Sequence, residues 1–240
     1  MSTIRLAISY SNVEVNSKIK LSKEDQNYLF NVLRCQIGKF IEVTNGKGKS
    51  FKAKIVDSQH LLITEEEKFS REDIFSIFLC QALLKGQKME LILQKATELG
   101  VKEIFPVISR NCVVKKTEKM ERWQKIVKEA SEQSGRSVIP KIHQLESFDS
   151  LIKRVKNGII FWEKNGKPLN EALKELRIDE PIFLFVGPEG GFTVEEIKIA
   201  DERGLQIASL GQRILRAETA AIVSVSITNF LLNNYVIIKK

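Results

Sequence analysis

The chain has 240 residues, 43% of them apolar, with 38 Lys and Arg against 30 Asp and Glu for a net charge of +8, and 13 Gly, 5 Pro, 3 Cys and 2 His. A chain of this length removes roughly 70–75% of its unfolded surface from water on folding, so it needs no covalent staple and makes one large domain or two small ones. Cys35, Cys80 and Cys112 are odd in number with no pair at CxxC spacing, which excludes a disulfide framework and a zinc site and leaves buried thiols in a reducing compartment. Residues 1–15 lack the basic start and apolar stretch of a signal peptide. The most apolar segment, residues 217–232, is broken by Glu218, Thr219, Ser224, Ser226, Thr228 and Asn229. A cytoplasmic protein with no membrane span is therefore expected. The positive charge is spread along the chain, which permits a polyanionic partner such as RNA without requiring one.

The N-terminal part reads mostly as short strands. Residues 39–43 and 51–57 are β-prone segments around Asn45, Gly46 and Gly48, a turn that fits a hairpin, and residues 61–64 follow as a third strand. A short helix interrupts them, capped by Ser22 with Asp25 three residues on, its buried face made of Tyr28, Leu29, Val32 and Leu33. A small barrel or curled sheet is the natural package. The polar run from Glu65 through Asp73 predicts a linker near 68–72, dividing domains 1–70 and 71–240.

Beyond it the pattern alternates strand and helix. Residues 74–80 (IFSIFLC) form a continuous apolar strand of the kind buried on both faces. Met89, Ile92, Leu93, Ala96 and Leu99 then keep helical spacing up to Gly100, and residues 104–109 return as a strand. That is one βαβ unit, which predicts a parallel sheet. Further on, Met120, Trp123, Val127 and Ala130 mark a helix ending at Gly135. Residues 158–162, 181–186 and 206–210 are strands, 169–176 is a short helix, Thr193 and Glu196 form a capping box, and 217–233 is the last helix.

Two strand-to-helix connections carry the residues of interest. The first is Gly187-Pro188-Glu189-Gly190-Gly191, between an apolar strand and the helix capped by Thr193. Ligands of open α/β sheets bind at such strand ends, where glycines admit close backbone approach and helix starts offer free N–H groups. The loop matches neither GxGxxG nor GxxxxGK[ST], so a dinucleotide or NTP phosphate site is unsupported, and on the residues alone it is either a ligand cradle or a plain turn. The second is residues 210–221 (LGQRILRAETAA), in which Arg213 and Arg216 stand near the helix start. They suit a phosphate or a polarised carbonyl, or else are solvated while Glu218 and Thr219 serve the helix terminus. His60 and His143 lie near no nucleophile motif, and no metal-ligand cluster exists. A cofactor carrying the reactive group is the chemistry that is left.

The pair VGPEGGFT and LGQRILRAETAA resembles the SPOUT methyltransferases, and within them the ribosomal RNA small subunit methyltransferase E family. Residues 85–90 (KGQKME) with 94–101 (QKATELGV), 132–136 (EQSGR) and 28–34 (YLFNVLR) with Gly38 are similar to further motifs of that family, in the same order. Tyr28 stands where the family usually has histidine, and the family's N-terminal arginines are matched only in part, by Arg5.

The resemblance implies an α/β fold: a C-terminal SPOUT domain with a parallel sheet and a trefoil knot, preceded by a small PUA-like β-barrel. It implies S-adenosyl-L-methionine bound around Val186, Gly187, Pro188, Glu189, Gly190, Gly191, Leu210, Gly211, Ile214, Leu215, Arg216 and Ala220. It further implies a homodimer that methylates N3 of a uridine in 16S rRNA of the small subunit, with no metal. Because N3 must lose its proton and the charge spreads to O2 and O4, Arg216 is expected to stabilise the uridinate, with Arg136 second and Glu218 a candidate base. N3 lies on the pairing edge, so the target must be unpaired or flipped out. Arg5, Arg34, Lys47, Lys49 and Lys52 would grip the RNA backbone. Three other readings stay open: an RNA-binding assembly protein with an inactive SPOUT domain, a SPOUT methyltransferase acting on another RNA position, and a plain nucleotide-binding α/β protein that would bind ATP or NAD.

Overall fold

Alternation of apolar and polar residues, the period of a half-buried strand, governs the chain up to Glu66. The computed structural model describes residues 3–8, 10, 12–68 and 70–238, with side chains up to residue 234. The outer ends of the two expected domains, residues 1–2 and 239–240, lie outside the described residues.

The first sheet contains β1 (Arg5–Ala7), β2 (Lys18–Lys20), β3 (Phe40–Thr44), β4 (Ser50–Asp57) and β5 (His60–Glu66), in the order β1-β3-β4-β5-β2. The pairing is antiparallel except for β1 on β3. Phe51, Ala53 and Ile55 of β4 and Leu61 and Ile63 of β5 point to one face and are fully buried, while Lys52 and Lys54 point out. The expected hairpin lies between β3 and β4, where Asn45 Oδ1 accepts from the N–H groups of Lys47 and Lys49 at 2.9 and 3.1 Å. The short helix α1 (Lys23–Gln26) is capped by Ser22, whose hydroxyl accepts from the Asp25 N–H, and continues as a π-helical turn over Asn27–Val32. That turn corrects one expectation. Leu29 is buried, but Val32 is 61% exposed, because the wider turn rotates it off the buried stripe.

The chain divides into two compact units at Glu72/Asp73, and the first unit also takes in Lys128–Ile139. The linker expected at 68–72 is thus one of three passages. The added segment is held by backbone and side-chain groups: Thr44 Oγ1 and Gly48 N donate to Ser137 O, Ile139 N donates to Gly46 O, and Ala7 N donates to Glu132 Oε1 at 2.8 Å. Periodicity read along the chain cannot detect such pairing, since each partner is remote in sequence.

The second unit begins with β6 (Ile77–Ala82), α2 (Lys88–Glu98) and β7 (Glu103–Ile108), the expected βαβ unit. It continues through α3 (Met120–Ser134), shared with the first unit, then β8 (Lys141–Ile142), β9 (Glu146–Ser147), α4 (Phe148–Ile152) and β10 (Gly158–Phe161). The rest is β11 (Lys167–Pro168), α5 (Leu169–Ala172), β12 (Ile182–Val186), α6 (Val194–Glu202), β13 (Gln206–Ser209) and α7 (Ala217–Ile238). The sheet order is β11-β13-β10-β12-β6-β7-β8, with β9 also on β7, and every pairing is parallel. β6 starts at Ile77 rather than at residue 74 because its neighbour β12 begins opposite Ile77, and Ile74 is 75% exposed. Gly100 and Gly135 terminate α2 and α3 with φ of +90° and +73°, the left-handed conformation that suits glycine. α7 packs on α2, β6 and β12 through a face that includes Ala221, Val225, Thr228 and Leu232.

Candidate active site

The strands β12 and β13 end side by side around β10, so the two glycine turns that follow them meet at the C-terminal edge of the sheet. A cavity of about 500 Å³ opens there. Its walls include residues 186–191, residues 209–211 and 213–217, Ala220 of α7, Phe161, Trp162, Glu163 and Lys88. All twelve residues expected to hold a cofactor line this one cavity: Val186, Gly187, Pro188, Glu189, Gly190, Gly191, Leu210, Gly211, Ile214, Leu215, Arg216 and Ala220.

The first turn is braced from three sides. Gly191 N donates to Pro188 O at 2.9 Å, closing the turn. Asn111 Nδ2 donates to the carbonyls of Gly190 and Gly191, both at 3.1 Å, and Gln81 Nε2 lies 3.4 Å from Gly187 O. The capping box predicted at Thr193 and Glu196 is present, and the fully buried Glu196 carboxylate accepts from the Thr193 and Arg110 N–H groups at 2.9 Å each. A Cβ on Gly187 would stand 3.2 Å from the Gly191 carbonyl carbon, and one on Gly190 would stand 3.1 Å from Asn111 Cβ. The turn keeps its shape only with small residues. Gln81 and Asn111 escaped sequence reasoning because they come from other strand ends and carry no motif.

Charge is arranged around the opening. Lys88 Nζ lies 3.2 Å from Glu189 Oε1 and 3.7 Å from Glu218 Oε2. Glu218 Oε2 is buried without a hydrogen-bond partner. Burial opposes ionisation of Glu189, yet its own backbone N–H, that of Lys85 and the Lys88 ammonium hold its carboxyl below the ordinary value. Arg213 and Arg216 line the cavity, are exposed, and form no ion pair among the described residues. Lys88 is a site residue missed in the sequence, where it read only as part of KGQKME. It stands at the first position of α2, and only the parallel pairing of β6 with β12 brings that helix start beside the Gly187 turn.

Arg136 does not line this cavity. It belongs to the N-terminal unit, is 5% exposed, and its Nη2 lies 2.8 Å from Glu72 Oε2. Among the residues expected to hold RNA, Arg5 pairs with Glu42 at 3.1 Å and Lys49 with Glu66 at 2.9 Å. Lys52 Nζ lies 5.1 Å from the centre of the half-exposed Phe40 ring. Lys47 is exposed in the β3–β4 turn, and Arg34 is exposed with a φ of +51°.

This fold and this pair of turns define an RNA methyltransferase: residues 71–229 match the family described as RNA methyltransferase domain, and residues 21–66 match the RNA methyltransferase PUA domain. At full length the chain is 34% identical to the ribosomal RNA small subunit methyltransferase E of Synechocystis sp., over 96% of this chain and 78% of that one. It is 33% identical to the protein of the same name from Rickettsia conorii, over 90% and 91%. A crystal structure of the Neisseria gonorrhoeae ribosomal RNA small subunit methyltransferase E bound to S-adenosyl methionine superposes with a TM-score of 0.88 at 31% identity, covering 96% of this chain and 98% of that one. The chain belongs to the ribosomal RNA small subunit methyltransferase E family.

Proposed function

We propose that this protein is an S-adenosylmethionine-dependent, cytoplasmic methyltransferase that acts on N3 of a uridine in small-subunit 16S rRNA. The observation that carries the reading is the convergence of two glycine turns, the start of α7 and an unpaired Arg216 on a single cavity. The cavity fits the cofactor on its own features. The Gly187 turn is a cradle that a Cβ would obstruct, Phe161, Trp162, Ile214 and Leu215 offer apolar walls, and Glu163 and Glu189 offer carboxylates to a cationic ligand. When bound, S-adenosylmethionine supplies a methyl carbon activated by its sulfonium.

The chain's own residues do the rest. Backbone groups of residues 186–191 and 210–215 hold the cofactor, and Trp162 closes one wall. Arg216 faces the uracil carbonyls and lowers the cost of removing the N3 proton. Glu218, with a buried oxygen that has no hydrogen-bond partner, accepts that proton, and Lys88 beside it holds the carboxylate in place. Arg136, engaged with Glu72, anchors the N-terminal unit, leaving Arg216 as the cation at the base. Lys47, Lys52 and Arg34 contact RNA phosphates, while Arg5 and Lys49 reach RNA only by exchanging their carboxylate partners.

Threading of the C-terminal segment through a trefoil knot belongs to this reading. Its support is the strand order, in which the chain leaving β10 returns to strands on both sides of it. So does a homodimer, supported by Ile214, Ile227 and Phe230, which are 85%, 39% and 66% exposed. Light scattering at increasing concentration tests the dimer. Calorimetry with S-adenosylmethionine, S-adenosylhomocysteine, ATP and NAD tests the site, and selective binding of the first two is expected. Incubation with 30S subunits followed by a nucleoside digest must then yield N3-methyluridine. Binding of ATP or NAD alone, or a methylated ribose in the digest, overturns the assignment.

A further inference from the structure

The segment Lys85-Gly86-Gln87-Lys88-Met89-Glu90 has only one residue, Lys88, in the cofactor cavity. Its remaining residues build something else. A second cavity of about 460 Å³ lies on the other side of this loop, bounded by Leu83, Leu84, Gly86 and Met89 on one wall and by Trp123 and residues 114 and 116–119 on the other. The volume is within the usual range for small-molecule sites, roughly 300–1,000 Å³. Because Lys88 and Met89 are consecutive residues of the first turn of α2, the two cavities share the 85–89 loop as a wall.

The second cavity has a largely apolar floor and, in its wall, one polar group without a partner among the described residues. Leu83, Leu84, Met89 and Trp123 are each at most 4% exposed. The indole Nε1 of Trp123 is buried and has no hydrogen-bond partner among the described residues. A buried donor left without an acceptor is unfavourable, so this N–H gains from an incoming carbonyl. The rim carries Lys116 and Lys119 with one exposed carboxylate, Glu118, between them in sequence. Lys116 has no ion pair among the described residues, and Lys119 lies 3.5 Å from Glu90 Oε1. Glu90 also holds Arg122, at 2.6 Å, so the carboxylate orders the rim rather than neutralising Lys116.

An apolar cavity with an unpartnered indole N–H in its wall and the ammonium of Lys116 at its mouth is complementary to a nucleobase with a ring carbonyl and its 5′ phosphate. We infer that this cavity binds an unpaired nucleotide of the RNA substrate adjacent to the one that enters the active site. The base stacks in the cavity and accepts from Trp123 Nε1, and Lys116 holds its phosphate. This rests on the proposed function and adds to it a subsite for a neighbouring nucleotide. It also accounts for KGQKME as a partition between target and neighbour.

The test follows the two indole N–H signals of the ¹⁵N-labelled full chain, one from Trp123 and one from Trp162, assigned with Trp123→Phe. S-adenosylhomocysteine should move the Trp162 signal alone. A short single-stranded oligoribonucleotide should shift the Trp123 signal downfield, uridine monophosphate should do so at higher concentration, and inorganic phosphate should not. In parallel, Val114→Trp, which fills the cavity from its partly exposed rim, should raise KM for 30S subunits about tenfold, with S-adenosylmethionine affinity unchanged. An oligonucleotide that binds the protein but leaves the Trp123 signal in place overturns the inference, as does an unchanged KM in the Val114 variant. A Trp123 response to phosphate alone, or to a protein fraction and not to RNA, overturns it too. Failure of S-adenosylhomocysteine to move Trp162 instead counts against the proposed function, so the two failures are distinguishable.

Discussion

The ammonium of Lys88 stands 3.2 Å from Glu189 Oε1, joining the first turn of α2 to the glycine turn after β12. The same ammonium is 3.7 Å from Glu218, so one cation lies between two carboxylates, one from the glycine turn after β12 and one from the first turn of α7. Both pairs are partly solvated, and such pairs contribute little to stability, roughly 0–1 kcal/mol. Their consequence is for the shape and charge of the cavity.

Replacing Lys88 by Met should therefore lower melting only slightly while reducing kcat/KM for 30S subunits by an order of magnitude or more. The two carboxylates then repel, and the Glu189 carboxyl loses one of the groups that hold it below its ordinary value. Steady-state kinetics beside thermal unfolding checks this. A large drop in stability with unchanged kcat/KM would show that Lys88 is a structural tie.

Arg216→Ala should cut turnover far more than cofactor affinity, because the guanidinium has no ion-pair partner among the described residues and lines the cavity without bracing it. Calorimetric affinity for S-adenosylhomocysteine compared with single-turnover rates separates the two. Equal losses in both would place Arg216 in cofactor binding alone.

Gly187→Ala introduces a methyl group 3.2 Å from the Gly191 carbonyl carbon and the Phe192 nitrogen. The turn must open, and affinity for S-adenosylmethionine should fall at least about tenfold with the fold retained, an effect of roughly 1.4 kcal/mol. Gly158→Ala is the contrast, since its Cβ would meet Phe183 O at 2.4 Å inside the sheet. That variant should fail to fold stably, as circular dichroism and solubility would show.

Two glutamates of the N-terminal unit should respond to pH with opposite sign. Burial raises the Glu72 carboxyl, but Arg136 and the Val138 and Ser137 N–H groups outweigh it and hold the group below its ordinary value. Its stabilisation is present above the unfolded-state pKa and is lost as pH falls through the lower folded value. Glu72→Gln, which removes the carboxylate charge paired with the buried Arg136, should cost on the order of 3 kcal/mol at neutral pH, and the difference should shrink in acid.

Glu132 is the reverse case. Its burial, with Asp25 and Glu129 nearby, outweighs the Ala7 N–H and Lys128 and raises its carboxyl. The folded state then binds the proton more tightly than the unfolded chain, so stability falls as pH rises through that window. Glu132→Gln keeps an acceptor for Ala7 N–H and should be neutral or stabilising at pH 7, while Glu132→Leu should destabilise by about 1–3 kcal/mol. Urea unfolding between pH 4 and 8 measures all three variants.

Much of this molecule was legible in the sequence where the signal is local. The helix at residues 88–98 follows from apolar spacing and Gly100, the parallel βαβ unit from the two apolar strands that flank it, and the Thr193 capping box from residues three apart. The two glycine turns were legible as strand-end loops because each directly follows an apolar strand, while the individual residues expected around the cofactor came from the resemblance to the family. The π turn at Asn27–Val32 was not legible, because the apolar spacing of Tyr28, Leu29, Val32 and Leu33 fits an ordinary helical face. The strand expected from residue 74 was placed too early because Ile74 looks like a core residue until its missing partner on β12 is known.

Composition, period and turn chemistry are properties of neighbours along the chain, and they determined the alternation of strand and helix, the two glycine turns and the place of Arg216 just after the second. Only the tertiary structure decided that Lys88, Gln81 and Asn111 surround the first turn, that Arg136 is occupied by Glu72, and that residues 128–139 belong with the N-terminal unit. Each of these depends on strand order and on hydrogen bonds between residues 64 to 125 positions apart. The free energy of such contacts comes from burial and pairing, which residue spacing does not encode.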